Sequence, residues 1–190
     1  MTRKPETDEE MAAIRVSGTV TAHNGGIYLA PYDPAWPAQY AEAAAKIRAA
    51  LGKGVIVLEH IGSTSIPGLC AKPIIDILLG VADSADEQAY VPALTAQGFR
   101  LHLREPDWEQ HRVLKGDDPL INLHVFTAGS AEITRMLAFR DRCRARPEER
   151  RLYEETKREL AMRTWRHVQH YANAKSEVVE AIIARALAEA

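Results

Sequence analysis

Two cysteines, Cys70 and Cys143, are too few and too far apart to define a metal-binding spacing or a disulfide framework, and they fit a reducing compartment. No apolar run approaches the roughly 18 residues of a membrane-spanning helix. No secretory h-region stands at the start of the sequence, so no leader is expected. An excess of positive charge is also missing. Lys and Arg number 24 against 26 Asp and Glu, a net charge of −2, so the basic field that nucleic acid requires is absent. Neither a His-Glu-x-x-His pattern nor a Walker A or dinucleotide-binding glycine pattern occurs. His102, His111, His167 and His170 show no helical metal-ligand spacing and read as surface or satisfied residues. Internal repeats and low-complexity tracts are lacking too. The expectation is a cytoplasmic protein whose partners are small molecules, with neither nucleic acid nor membrane among them.

What is present suits one domain. The chain has 190 residues and is 46% hydrophobic, enough for one core. Residues 1–26, charged and closed by Asn24-Gly25-Gly26, are expected to be a disordered tail, and residues 27–190 the domain. A short strand is expected at Ile27 to Ala30. An Ala-rich helix then runs to Leu51, with Asp33 as N-cap and Pro34 in the first turn, and Gly52 and Gly54 end it. Val55 to Ile61 and Ile74 to Val81 read as strands, and Asp86 to Gln97 as a helix. Phe99 to Arg104, His111 to Lys115 and Leu120 to Phe126 read as further strands. After Gly129 the pattern becomes helical. One helix carries Ile133, Met136 and Leu137 on a face, one runs from Pro147 to about His167, and a last one begins near Val168 with a single lysine, Lys175, in its apolar stripe. The fold class is α+β: a mixed sheet with flanking helices and a helical C-terminal block.

The chemistry concentrates between residues 59 and 76. A strand ends in Glu59, His60 and Ile61, and a loop of small residues follows, with Gly62, Ser63, Thr64 and Ser65. Lys72 lies just before the next strand. Glycine allows close backbone approach, hydroxyls and amides can face an anion, and the lysine adds charge, which is the composition of a phosphate cradle and equally of a tight connection. Asp76 falls inside Ile74-Ile75-Asp76-Ile77-Leu78-Leu79, where a carboxylate must be paired or bind a cation. Asn122 and His124 share one face of their strand and either line a cleft or face solvent. Glu59 and His60 point to opposite faces, so only one of them joins the site. Arg140 opens an arginine-rich stretch that solvates a helix face or contributes a cation to an anion site.

The stretches 31–37 (Pro-Tyr-Asp-Pro-Ala-Trp-Pro), 59–69 and 71–77, with Leu123-His124-Val125, Phe139-Arg140-Asp141, Tyr153, Lys157, Leu160, Tyr171 and Lys175, resemble the GrpB family. The resemblance runs from about Ile27 to the end. It implies a nucleotidyltransferase-like sheet. In that superfamily a Gly-Ser pair holds the triphosphate, and an Asp-x-Asp/Glu pair with a third carboxylate binds two divalent ions. Gly62 and Ser63 match the Gly-Ser pair and Asp76 matches the first carboxylate. Leu78 stands where the second would be, and the later strand offers Asn122 and His124 instead of the third.

Two functions follow from the resemblance. One is metal-assisted transfer of a nucleotidyl group from an NTP to a small acceptor. Asp76 and His124 would then be catalytic residues and ligands of Mg, Mn or Zn; Gly62, Ser63, Thr64, Ser65, Lys72 and Arg140 would be phosphate-binding; and Glu59, His60, Asn122 and Lys157 additional site residues. The alternative is a catalytically degenerate module that binds a nucleotide or phosphometabolite, or serves as an interaction partner of a coenzyme A-pathway kinase, because GrpB domains occur fused to such kinases. A plain structural homodimer would not require this polar set.

Overall fold

The computed structural model describes residues 7–189. Its five strands are β1 (Val57–Ile61), β2 (Ile75–Val81), β3 (Arg100–Glu105), β4 (His111–Asp117) and β5 (Leu120–Thr127). They form one sheet in the order β1-β2-β5-β4-β3, in which only β2 and β5 run parallel. β2 lies inside the sheet and is covered on both faces. Its Ile77, Leu78 and Leu79 are therefore fully buried and its sequence reads as an apolar run broken by Asp76.

The back face packs on α2 (Trp36–Leu51). Ala43, Ala44 and Ile47 of that helix meet Leu58, Ile75, Ile77, Leu79, Leu123 and Val125. The front face is covered by the C-terminal helices α4 (Ala131–Ala145), α5 (Pro147–Ala161), α6 (Val168–Ala174) and α7 (Ser176–Ala188). Ile133 of α4 packs on Ile61, Leu78 and Phe126. Phe139, Cys143, Tyr153, Ile182 and Ile183 enclose Ile66 and Leu69 of the β1–β2 connection. The α+β architecture with a helical C-terminal block is as expected. No helix among the described residues is long and apolar enough to cross a membrane.

Several local expectations change. Ile27 to Ala30 forms no strand, only a bridge between Ala30 and Ala71. Pro31 and Pro73 flank that pair and have no amide with which to extend it. The helix expected over 86–97 breaks into a turn at Glu87–Ala89 and the short α3 (Val91–Thr95), because Pro92 can only occupy a first helical turn. The helix from Pro147 ends at Ala161, where the Trp165 indole donates to the Leu160 carbonyl at 2.8 Å and Trp165 bridges to Gly25. The last helix divides at Lys175. Ala35, not Asp33, caps α2, but the Asp33 carboxylate still accepts from the Ala35 amide at 2.8 Å.

The segment read as a tail is docked from Thr7 onward, while residues 1–6 lie outside the described residues. Thr7 and Glu10 form a capping box at α1 (Asp8–Ala13), whose Met11 is buried. The Arg104 amide donates to Ile14 O at 2.8 Å and the Val16 amide to His102 O at 2.9 Å, so the segment covers the outer edge of β3.

One buried carboxylate ties the helical block together. Glu149 on α5 accepts from Arg142 of α4 at 2.8 Å and from Arg185 of α7 at 2.7 and 2.6 Å. The Arg185 bonds first, with those of Arg142, hold its carboxyl down to about 2 against the opposing effect of burial. A depressed carboxyl contributes stability above its unfolded value and loses it as pH falls through the folded one. Glu149→Gln should therefore cost stability most above about pH 4.5 and progressively less toward pH 2, as read by urea denaturation across that range.

Candidate functional site

The β1–β2 connection is built over Asp76. Ile61 pairs with Asp76, and the chain turns at Gly62 with φ +68°. A Cβ on Gly62 would lie 2.4 Å from Asp76 Oδ2, so glycine is demanded by backbone conformation and by the carboxylate beneath it. The turn Ser63–Ser65 follows. Two of its hydroxyls point inward. Thr64 Oγ1 donates to Ile74 O at 3.3 Å and accepts from His60 Nε2 at 3.0 Å, and Ser65 Oγ donates to Gly62 O at 2.7 Å. Thr64 and Ser65 thus hold the loop's shape instead of offering hydroxyls to an anion. Ser63 Oγ lies 3.4 Å from the Tyr153 hydroxyl of α5.

Parallel pairing sets Asp76 beside Asn122 and Leu78 beside His124. Asn122 Nδ2 donates to Asp76 Oδ1 at 3.0 Å, and His124 Nε2 stands 3.7 Å from the same oxygen. Lys115 of β4 continues the Asp76–Asn122 row. Burial works to raise the Asp76 carboxyl, but the hydrogen bonds and charge of His124, the Asn122 amide and the Lys72 cation together hold it below its usual value. Lys72 and Lys175 bring positive charge to Asp76. Burial lowers Lys72, repulsion from Lys175 lowers it further, and Asp76 partly opposes both. Burial brings Lys175 to about 8, again opposed by Asp76. The Lys175 Nζ also sits 4.6 Å from the centre of the Tyr171 ring and 5.9 Å from that of Tyr153. The lysine that interrupts the C-terminal apolar stripe therefore marks the joint between α6 and α7 and faces this cleft.

Other expected members are engaged elsewhere. Arg140 Nη1 donates to Glu59 Oε2 at 2.8 Å and to His60 O at 3.0 Å, and its Nε donates to Asp141 at 2.7 Å. Glu59 does share the Asp76 face, but it pairs with Arg140 instead of replacing a missing metal ligand, and Arg140 is spent on that pair instead of on a phosphate. His60 lies on the opposite face, stacked on Tyr40 at 4.8 Å, and burial lowers it to about 4. Lys157 is 1% exposed and donates to the Cys70 carbonyl under the loop, which makes it a buried support. Two surface hollows, of about 160 and 220 Å³, lie elsewhere and include none of the site residues.

A second array adjoins His124. His111, read as a surface or satisfied residue, is 2% exposed and joins His124 to Glu105. Its Nε2 is 3.1 Å from His124 Nδ1, and its Nδ1 is 2.7 Å from Glu105 Oε2. Its ring stacks on Phe126, with Trp108 edge-on. The only sequence signal was that His111 opens the strand neighbouring His124.

The donor chemistry does not fit two magnesium ions. Mg²⁺ requires an octahedral oxygen shell, but the second carboxylate position is the fully buried Leu78. Among the described residues no group of three or more His, Cys, Asp or Glu is placed to hold a metal. The lysines beside Asp76 supply the positive charge there.

Fold and site together define a mixed-sheet α+β domain in which Asn122, His124 and two lysines stand around the carboxylate of Asp76. The GrpB protein family model matches residues 26–185, and the chain belongs to that family. A UPF0157 protein of Halalkalibacterium halodurans is 55% identical over 182 residues, which is 96% of this chain and 93% of that one. A UPF0157 protein of Streptomyces coelicolor is 44% identical over 160 residues, 84% of each chain. The crystal structure of the conserved protein GrpB from Enterococcus faecalis superposes with a TM-score of 0.72 at 29% identity, covering 85% of this chain and 98% of that one. A dephospho-CoA kinase of Mycolicibacterium paratuberculosis is 36% identical over 76 residues, which is 38% of this chain and 19% of the kinase.

Gly62→Ala should destabilise the protein by about 1–3 kcal/mol through positive-φ strain, and more if Asp76 cannot move aside. Denaturant unfolding measures it. Gly68→Ala, also at positive φ but with nothing within 4 Å, should show the backbone cost alone.

Proposed function

We propose that the cleft binds the phosphate group of a small molecule, a nucleotide or phosphometabolite, without two-metal nucleotidyl transfer. The observation that carries this reading is the placement of two partly buried lysines at the β1–β2 connection: Lys72 lies in it, Lys175 sits over the rings of Tyr171 and of Tyr153, whose hydroxyl meets Ser63, and the charge of Asp76 acts on both. Two cations sharing one anion repel each other in a partly desolvated site, and a bound anion relieves that repulsion. Gly62 permits close backbone approach, and Ser63 and Tyr153 supply neutral hydroxyls at the same edge. Leu78 in place of a second carboxylate counts against the transfer reaction that the superfamily resemblance implies, because polarising a phosphate through two metals needs oxygen ligands that the cleft lacks.

The 76-residue likeness to a dephospho-CoA kinase favours including one ligand class in particular. Coenzyme A precursors are phosphate esters, so dephospho-coenzyme A belongs in the panel beside the four NTPs and pyrophosphate. A role beside such a kinase is compatible with the same cleft.

Ligand-dependent thermal stabilisation in EDTA tests the reading. A ligand at 100 times its dissociation constant adds about 2.7 kcal/mol. The expected result is stabilisation by at least one of these phosphates without metal, weakened about ten-fold or more in affinity by Lys175→Ala. Stabilisation that requires Mg²⁺ and vanishes in Asp76→Ala would instead restore the transfer reading, and no stabilisation by any ligand would end the phosphate reading.

The pH dependence follows from Lys175. A lysine lowered to about 8 is cationic below that pH and neutral above it. Affinity for ATP, which has no group titrating there, should decline as pH rises from about 8 toward 10, and the decline should be shallower in Lys175→Arg.

A further inference from the structure

We infer that the site at Lys72 and Lys175 continues across the sheet to a second anion-binding position at Lys115 and Arg15, so that its ligand carries an anionic group at each end. This rests on the phosphate-binding reading and narrows its ligands to phosphate esters with a second phosphate or a carboxylate at the far end.

Strand register builds this second position. Residues paired across neighbouring strands stand on the same face. Asp76 pairs with Asn122, Asn122 with Lys115, and Lys115 with Arg100, so one row on the front face runs from the carboxylate to the outer strand. Leu114, next to Lys115 in β4, packs in the core behind the sheet, which puts Lys115 in front. Two strand spacings, about 10 Å, separate Asp76 from Lys115. Beyond β3 the N-terminal segment adds Arg15. It bridges to Leu103, which pairs with Val113 in the row of His124. Arg15 therefore joins the same face from outside the sheet.

These cations lack the counter-charges that occupy Arg140, Arg142 and Arg185. Among the described residues the ammonium of Lys115, half-buried, forms no hydrogen bond or ion pair. Arg15 Nη1 donates to His102 Nε2 at 3.2 Å, and its Nε is buried with no partner. Burial, with Lys115, Arg15 and Arg100, lowers His102 to about 4, so this ring is a neutral acceptor and cancels none of the Arg15 charge. Arg100 is paired with Asp117 in an exposed bridge. Burial lowers Lys115, and Arg15, Arg100 and Lys72 lower it further, with Asp117 opposing them. Lys72 acts on Lys115 and is itself acted on by Lys175, so the two positions adjoin. A bound anion relieves repulsion among partly desolvated cations, and an accepting oxygen beside Arg15 would satisfy the orphaned Nε–H. One phosphate is smaller than the separation between Asp76 and Lys115, so a second anionic group is needed to use both positions.

Calorimetry on the full chain, in EDTA at neutral pH, tests this with two probes: hexyl phosphate and 1,6-hexanediol bisphosphate, whose phosphates extend to about that separation. The bisphosphate should bind about ten-fold tighter or more, beyond the roughly two-fold that its two equivalent ends give statistically. Lys115→Gln should remove that advantage and leave hexyl phosphate within about two-fold of its original affinity, whereas Lys175→Ala should weaken both probes. Arg15→Gln should act as Lys115→Gln does. Thermal unfolding without ligand shows whether either variant loosens the fold, and if one does, the other decides. The second position is overturned by a bisphosphate advantage of about two-fold or less, by an advantage that Lys115→Gln leaves intact, or by a loss shared equally between the probes. In each of these cases binding of hexyl phosphate leaves the phosphate reading standing. Binding by neither probe would remove both.

Discussion

A carboxylate at the start of an interior strand, roofed by the backbone of Gly62, has to be compensated where it stands. Much of the front face is arranged around that need. Asn122 reaches Asp76 from the parallel neighbour, His124 approaches from the same strand, and Lys72 brings a cation from the loop. Lys175 arrives from the C-terminal helices. These charges do not cancel one for one. The two lysine cations outnumber the single carboxylate between them, and that surplus is the basis of the proposed phosphate binding.

The helical block makes that arrangement durable. Glu149, held between Arg142 and Arg185, fixes α4, α5 and α7 relative to one another. Lys157 ties α5 to the carbonyl of Cys70 beneath the loop, and Arg144 of α4 donates to the carbonyl of Ser65 at 3.0 and 2.8 Å. Several arginines and lysines that look like ligand-binding groups in a linear reading are thus fasteners between layers. Buried pairs of this kind are costly to break from one side, because the remaining partner is left charged and desolvated. Lys72 and Lys175 differ from them in facing a shared carboxylate from separate elements.

Much of the fold was legible because it rests on local signals. The five strands of the sheet are where β-branched and alternating segments stand, and α2, α4 and α5 begin within a residue or two of their expected positions. The failures were local as well. Pro92 broke a helix, Pro31 and Pro73 prevented a strand, and Lys175 marked a joint within a continuous apolar stripe. Segment 7–26 read as a tail because its own composition is polar. Its docking depends on hydrogen bonds to β3, which composition does not register.

By itself the sequence determined the α+β order, the glycine turn before a buried Asp76, and the common face of Asn122 and His124. Each follows from backbone period or from a residue's own conformational limits. Only the tertiary structure decided which polar groups stand around Asp76. It turned Thr64 and Ser65 into the loop, paired Arg140 with Glu59, buried Lys157, placed His60 behind the sheet, and brought Lys175 and His111 to the front. The physical reason is that a long charged side chain has many reachable partners, and the choice among them is made by strand register and helix packing between residues distant in sequence.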